Sequence, residues 1–380
     1  MNRIKKWILT SLMLATLFAV SLAIVYYDRH DAFVYVSLLW VFACIVVMFI
    51  SKPNVQLWAL YTGTAILTFG LYEAYLAGWF SEKTPELINF SISNPAYFQT
   101  HKILGTVPKK NIQITAQKSY GNELLYNVQY TIDQNGLRIG FNHRQEPETA
   151  VLFFGGSFTF GEGVNDNETM PYRFEEKGIF KAFNFGFHGY GPHQMLAILE
   201  NEMEKSIVSD TPPKYAVYQA IAGHVDRCAG RAWWDQSGPR YRLNEKSEAI
   251  YQGPFQNFLM SRFITVMTRS NVVRKWLSSS AKATSIADID LFVSIVNKSK
   301  SLFEKRYGSQ FYVLLWPSDS QLYQAILSKL KTRQIKVIKI EDILSDLEKY
   351  KIRFPYENHP NQLAHEKIAR YILKFLQKVQ

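Results

Sequence analysis

The chain has 380 residues, 47% of them hydrophobic and 15% aromatic, with 43 Lys+Arg against 32 Asp+Glu and a formal net charge of +11. That length suggests two or three units. The charge is spread out and suits a domain near anionic lipid or acidic polymers; no nucleic-acid-binding motif accompanies it, which argues against nucleic acid as a partner. Cys44 and Cys228 are the only cysteines and stand too far apart in character to form a disulfide framework.

Three apolar runs open the chain: Trp7 to Tyr27, Ala32 to Ile50, and Val55 to Phe80, the last with Glu73 as its only charge. Each is long enough to cross a bilayer as a helix, and three in succession predict a three-span anchor over residues 1–80. Arg3, Lys5 and Lys6 precede the first run and Lys52 follows the second, so the positive-inside rule puts the N-terminus in the cytoplasm and everything after Phe80 outside. The first run lacks a small-residue cleavage site, which favours an anchor over a signal peptide.

Residues 81–148 read as a small β-rich lead-in layer. "LYNVQYTIDQNGLRIG" alternates polar and apolar residues and turns at "QNG". From Thr149 to the C-terminus, short apolar runs alternate with helical stretches. "AVLFFG", "KAFNFG", "KYAVYQAIAG", "QFYVLLWP" and "IKVIKI" are strands, and "NQLAHEKIARYILKFLQKV" is a closing helix. This alternation predicts an α/β domain, a three-layer α/β/α sandwich around a parallel sheet of flavodoxin-like type. Residues 233–286 interrupt the pattern and read as an insertion with helices.

In such sheets chemistry sits beyond the carboxyl ends of the strands. "FFGGSFTFGEGV" puts Ser157 there, among Gly155, Gly156 and Gly161. A serine at this position caps a helix or acts as a nucleophile, and the second role needs a base, an orienter and oxyanion donors. "YENHPNQLAHEKIA" offers His359 as base and Glu357 as orienter. "FNFGFHGYGPHQ" and "AIAGHVDR" follow the second and third strands and offer amide or imidazole donors to a developing oxyanion. No His-Glu-x-x-His motif or phosphate loop is present, so no metal or cofactor is expected.

In their order and placement these stretches resemble the sequence blocks of the SGNH, or GDSL-type, serine hydrolases. "GGSFTFGEG" is similar to the first block, which makes Ser157 the nucleophile. "NFGFHGYG" is similar to the second, which makes Gly189 an oxyanion donor. "HPN" before the closing helix is similar to the last, which makes His359 the base. The third block departs: the family has Gly-x-Asn-Asp, and here "AGHVDR" sets His224 where asparagine is expected, with Asp226 as a rival alignment. His224 would donate to the oxyanion, with its protonation tuning activity. The last block departs too, because Glu357 stands where aspartate is usual; a backbone carbonyl sometimes orients the histidine instead. The lead-in also looks like the segment preceding this domain in membrane-anchored bacterial members.

The resemblance implies a multi-pass protein of the bacterial cytoplasmic membrane, with the hydrolase domain on the outer side. Its expected substrate is an acyl ester of an envelope glycan or a lipid. Phe158, Tyr190, Arg227, Trp233 and Trp234 are the expected substrate wall, since tryptophan faces stack on sugars and arginine pairs with anions. The stretch around the tryptophans reads equally as a packed surface loop. His365 is expected to pack within the last helix, and His188 and His193 to line the mouth or cap a helix. Two other functions stay open on the same residues: an O-acyltransferase acting on a surface polysaccharide, and a degenerate domain that binds glycan or scaffolds an assembly.

Overall fold

The computed structural model describes residues 14–25, 31–80, 88–142, 147–279 and 284–379. The chain divides into two compact units, one of Met1–Leu87 with Leu259–Lys282, the other of Ile88–Phe258 with Ala283–Gln380.

The first unit contains α1 (Leu14–Val25), α2 (Ala32–Ile50) and α3 (Pro53–Leu76). Pro53 starts α3 at a position where its missing N–H costs nothing. α2 and α3 run antiparallel and close together, because small residues face each other. A side chain on Gly70 would meet the Ser37 Cβ at 2.6 Å, and one on Gly63 would meet the Cys44 Cβ at 3.1 Å. The expectation of three spanning helices is corrected. Among the described residues one helix, α2, is long and apolar enough to cross a membrane, with a mean hydropathy of 2.7. α1 is described over 12 residues only, and the start of the first run lies outside the described residues. α3 is long enough at 24 residues, but Gln56, three threonines and Glu73 dilute its apolar character.

In the second unit, β1 (Ile88–Ile92), β2 (Phe98–His101), β3 (Gly105–Pro108), β4 (Ile112–Tyr120) and β5 (Glu123–Ile132) form the lead-in layer. β1, β4 and β5 make an antiparallel sheet in which Ile114 faces Tyr130 and Ala116 faces Val128. β5 buries alternate residues, Tyr126, Val128, Tyr130 and Ile132, as its sequence pattern requires. At its end the Asp133 carboxylate accepts the N–H groups of Asn135 and Leu137, and Gly136 takes a positive φ of 85°. The chain then returns antiparallel and brings Arg138 beside Ile132.

The α/β layer follows: β6 (Ala150–Gly155), α4 (Ser157–Phe160), α5 (Met170–Lys177), β7 (Lys181–Asn184), α6 (Pro192–Glu200), β8 (Pro213–Ala220) and α7 (Gly223–Cys228). A hairpin of β9 (Pro239–Leu243) and β10 (Ala249–Pro254) and two helices, α8 (Phe258–Met267) and α9 (Asn271–Ser279), occupy the middle section. α10 (Ile286–Tyr307), β11 (Gln310–Leu315), α11 (Ser320–Thr332), β12 (Lys336–Lys339), the hairpin β13 (Lys351–Arg353) and β14 (Glu357–Pro360), and α12 (Gln362–Lys378) complete the chain.

The central sheet has five parallel strands in the order β12-β11-β8-β6-β7. β6 is buried on both faces, so it reads as a continuous apolar run. Leu152 and Phe154 point into the core shared with α6, α10, α11 and the lead-in layer. Val151 and Phe153 point into the core shared with α5 and α12. After β6 the chain pairs first on one side, with β7, and then on the other, with β8. The crevice beyond the carboxyl end of β6 is therefore the switch point where such sheets bind ligands.

Arg138 joins the lead-in layer to this crevice. Its fully buried guanidinium donates to the carbonyls of Phe160 (3.0 Å), Gly161 (2.5 Å), Val164 (2.6 Å) and Gln129 (3.0 Å), pairs with Asp166 (2.9 Å), and lies over the Tyr130 ring. Removing such a charge strands its buried partners. Arg138→Met should destabilise the fold by roughly 3 kcal/mol or more, read as a lowered urea midpoint of the full chain. An unchanged midpoint would show that the clamp contributes nothing.

Candidate active site

β6 ends at Gly155, whose φ of 154° and surroundings leave no room for a side chain: a Cβ there would lie 2.2 Å from Thr159 Oγ1 and 3.0 Å from the Gln219 carbonyl. A Cβ on Gly156 would lie 2.7 Å from both Arg227 Nη1 and the Tyr190 carbonyl, and 3.0 Å from His224 Nε2. Two glycines thus bring the backbone hard against the next strand ends and start α4 at Ser157. Gly161 ends this single turn with a φ of 85°. Thr159 donates to the Gln219 side chain at the end of β8 (2.8 Å), and Asn184 at the end of β7 donates to the Thr159 carbonyl (3.1 Å). Ser157 is 5% exposed and held from both sides.

His359 and Glu357 reach this serine from β14. His359 Nε2 lies 2.8 Å from Ser157 Oγ, and His359 Nδ1 makes a short hydrogen bond to Glu357 Oε1. The same oxygen accepts the His359 backbone N–H (3.0 Å), which fixes the carboxylate against its own chain. Glu357 Oε2 pairs with Lys118 of β4 at 2.5 Å. The lead-in layer also grips this loop through the stacked Tyr120 and Tyr356 rings, 4.1 Å apart, and the Arg353–Glu123 ion pair at 2.5 Å. Phe158, directly after the serine, packs its ring on His359 at 5.3 Å and on Trp316 at 5.1 Å.

A second carboxylate faces the same imidazole. Glu162 Oε2 lies 3.8 Å from His359 Nε2 and accepts from His188 Nδ1 at 2.6 Å. His188 is boxed by aromatic rings, with Phe160 nearest at 4.3 Å, and its Nε2 is 3.2 Å from the Tyr97 hydroxyl. Neither Glu162 nor His188 is legible as a pair in the sequence. The one local signal is a charged residue inside an otherwise apolar, glycine-rich turn.

These neighbours set the ionisation of the site. Burial pushes the His359 imidazole down, but Glu162 first and then Glu357 outweigh it, and His359 is raised above its ordinary value despite Lys118. Burial works against both carboxylates, yet both are held below the ordinary carboxylate range. For Glu162 the cause is His359, then His188 and Lys118; for Glu357 it is the His359 hydrogen bond and charge, then Lys118.

The remaining expected residues divide. His224 lies on α7 beside the Ser157 turn, and its Nδ1 is 2.7 Å from the Tyr218 hydroxyl. Burial, then Arg227 and His193, hold it well below its ordinary value, so it stays neutral near neutral pH and its titration does not tune the site there. Asp226 instead pairs with Arg231 at 3.2 Å and accepts from Thr284 at 3.0 Å. Gly189 has a φ of 75°, and a side chain there would strike Trp234 Nε1 at 2.7 Å. Arg227 donates to the Tyr190 carbonyl at 2.6 Å and lies 5.8 Å over the Trp234 ring. Trp233 and Trp234 are each half exposed and meet edge to face.

Tyr190 departs from the expected wall: its side chain is buried and its hydroxyl donates to the Thr106 carbonyl at 2.8 Å. It lines a cavity of about 230 Å³ between the lead-in layer and α6, to which neither Ser157 nor His359 contributes. His193 is buried and bound to Asp235 at 2.7 Å, which ties α6 to the tryptophan turn. His365 accepts the Met170 N–H at 3.1 Å, and burial, with Arg138 and His359, pushes it down to about 3, which suits a packing residue. Among the described residues no group of three or more His, Cys, Asp or Glu side chains is arranged to hold a metal ion.

No family model matches the chain, and no curated protein matches it. Among solved structures, two of its neighbours are named as GDSL-like lipolytic proteins. It is similar to a lipolytic protein of the G-D-S-L family from Desulfitobacterium hafniense, at 12% identity and a TM-score of 0.32, over 60% of this chain and 98% of that one. It is similar to a GDSL-like lipase from Bacteroides ovatus, at 10% identity and a TM-score of 0.36, over 77% and 74%. It is also similar to a protein from Lactobacillus plantarum, at 11% identity and a TM-score of 0.33, over 62% and 99%. At identities of 10–12% and TM-scores below 0.5, these likenesses assign no residue a role.

The geometry makes the charge on Glu162 a determinant of the His359 ionisation. Glu162→Gln removes a negative charge that favours the imidazolium, so His359 should titrate at lower pH than in the wild type. Following its ring carbon resonance by NMR across a pH series checks this; an unmoved titration would show that Glu162 is screened from the ring.

Proposed function

We propose that the chain is a membrane-anchored serine esterase of SGNH type. The observation that carries this reading is the continuous line from Ser157 Oγ through His359 to Glu357, set at the switch point of a parallel sheet. Ser157 Oγ attacks the ester carbonyl while His359 Nε2 takes its proton. Glu357 holds Nδ1–H and balances the imidazolium. The proton then passes to the leaving alcohol, and a water activated by the same imidazole releases the acid. Backbone amides of Ser157 and Gly189 donate to the oxyanion. With its Nδ1 against the Tyr218 hydroxyl, neutral His224 supplies a third donor in the tautomer that carries the proton on Nε2, where the family has asparagine.

The half-exposed Trp233 and Trp234, with Arg227 behind them, support an acyl ester on an envelope glycan or at a lipid surface as substrate. α2 supports an anchor in the membrane, with the hydrolase unit on the outer side. A polysaccharide hydroxyl replacing water at the acyl-enzyme would give acyl transfer on the same residues.

Ser157→Ala and His359→Ala should each lower hydrolysis of short p-nitrophenyl esters by about 10³-fold or more, and Ser157→Ala should abolish fluorophosphonate labelling. Full activity and labelling in Ser157→Ala would overturn the assignment. Labelling with turnover only on adding a glycan acceptor would make the chain a transferase.

The raised His359 gives a second expectation. The imidazole acts as base only when deprotonated, so kcat/KM should fall as pH drops through a value above the ordinary one for histidine. In Glu162→Gln that fall should move to lower pH. A pH–rate profile identical in both proteins contradicts the assignment of His359 as base with Glu162 as its neighbour.

A further inference from the structure

Residues 233–286 have no role in the chemistry above, and the structure splits them. The β9–β10 hairpin stays with the hydrolase unit, whereas Leu259–Lys282, holding most of α8 and α9, groups with α1, α2 and α3. The chain therefore leaves the hydrolase unit after β10, contributes two helices to the unit of apolar helices, and returns to begin α10.

What ties them there is Glu73, a fully buried carboxylate on α3. It accepts the Asn271 N–H at 2.8 Å, the Val272 N–H at 3.2 Å and the Ser270 hydroxyl. A carboxylate amid apolar helices is costly unless it is hydrogen-bonded, and the first amides of a helix carry the partial positive charge that satisfies it. Glu73 thus serves as the cap of α9 from another helix. It lies within a turn of the end of α3, the end from which the chain continues into the hydrolase unit. Because α3 runs antiparallel to α2, this is also the level at which α2 begins. A segment capped there starts at the level of the first turn of α2.

The side chains suit that level. Leu259, Phe263 and Val266 stand at positions i, i+4 and i+7 of α8 and are 78%, 59% and 37% exposed. Arg274, Lys275 and Trp276 are exposed on α9, with the Lys275 ammonium 5.9 Å from the Tyr72 ring. An apolar helical face next to cations and a tryptophan is the composition of helices that lie in the headgroup region. On α2, Phe42 is 65% exposed.

We propose that α8 and α9 form an interfacial membrane element, with Leu259, Phe263 and Val266 among the acyl chains of an anionic bilayer, Arg274 and Lys275 at its phosphates, and the Glu73 cap fixing the depth. This rests on α2 being the anchor.

The test uses the full chain with Cys44→Ala and Cys228→Ala, reconstituted in phosphatidylcholine–phosphatidylglycerol vesicles. Spin labels are placed one at a time at Phe263→Cys, at Leu259→Cys as a second site, at Phe42→Cys in α2, and at Glu245→Cys on the β9–β10 hairpin. Accessibility is read by power saturation with oxygen and with a water-soluble nickel chelate. The expected result is that 263 and 259 lose nickel accessibility relative to 245 and keep oxygen accessibility, at a shallower depth than 42. Nickel accessibility at 263 and 259 equal to that at 245, with 42 in lipid, overturns the interfacial role and leaves the anchor standing. Loss of both accessibilities overturns it in favour of a protein contact, including a second copy. Nickel reaching 42 removes the anchor and the proposal with it.

Discussion

The Arg138 guanidinium lies between the lead-in sheet and the turn that presents Ser157, and it gathers the carbonyls of Phe160, Gly161 and Val164 onto one plane of donors. The Phe160 and Gly161 carbonyls are among those a one-turn helix leaves unsatisfied when it stops at Gly161. Satisfying them with a buried cation lets the turn end abruptly and sends Glu162 back toward the serine instead of onward into a longer helix. Glu162 then meets His188 on one side and His359 on the other. Through this chain of contacts a residue just past β5 governs which charge the imidazole sees.

Two carboxylates around one histidine set a balance. Glu357 holds Nδ1 and steadies the tautomer, while Glu162 adds negative potential on the Nε2 side. Together they favour the imidazolium form, and they reduce the fraction of free base at lower pH. Lys118 moderates the sum by pairing with Glu357. His224, a few residues past the end of β8, sits in the opposite regime: burial and Arg227 keep it neutral. One fold thus holds one imidazole ready to charge and another that stays uncharged, by placing carboxylates at the first and a guanidinium at the second.

The parts of the site that the sequence makes legible are those written locally. Gly155, Gly156 and Ser157 follow an apolar strand, and Glu357 stands two residues from His359, so a reader of the chain meets each group beside its structural cause. Arg138, Lys118 and Glu162 are hidden because their partners lie far away in sequence; Lys118 and Glu357 meet only once β4 and β14 have found their places. The five parallel strands follow from short apolar runs separated by helices. The proposed anchor is less legible: α3 is an apolar run, yet its threonines and Glu73 set it apart from α2. Glu73 reads as a lone charge in an apolar run, and its partner Asn271, the first residue of α9, is 198 residues away.

The dependence of the site on β4 and on the segment just after β5 bears on how such a protein is assembled from portable pieces. A segment beginning at Thr149 would carry the serine, the histidine and the glutamate to a new context. It would leave behind the lysine that neutralises the glutamate, the arginine that shapes the turn, and Tyr120, which stacks on the histidine loop. The unit that recombination can move intact is therefore larger than the parallel sheet, and its natural start is the first strand of the lead-in layer.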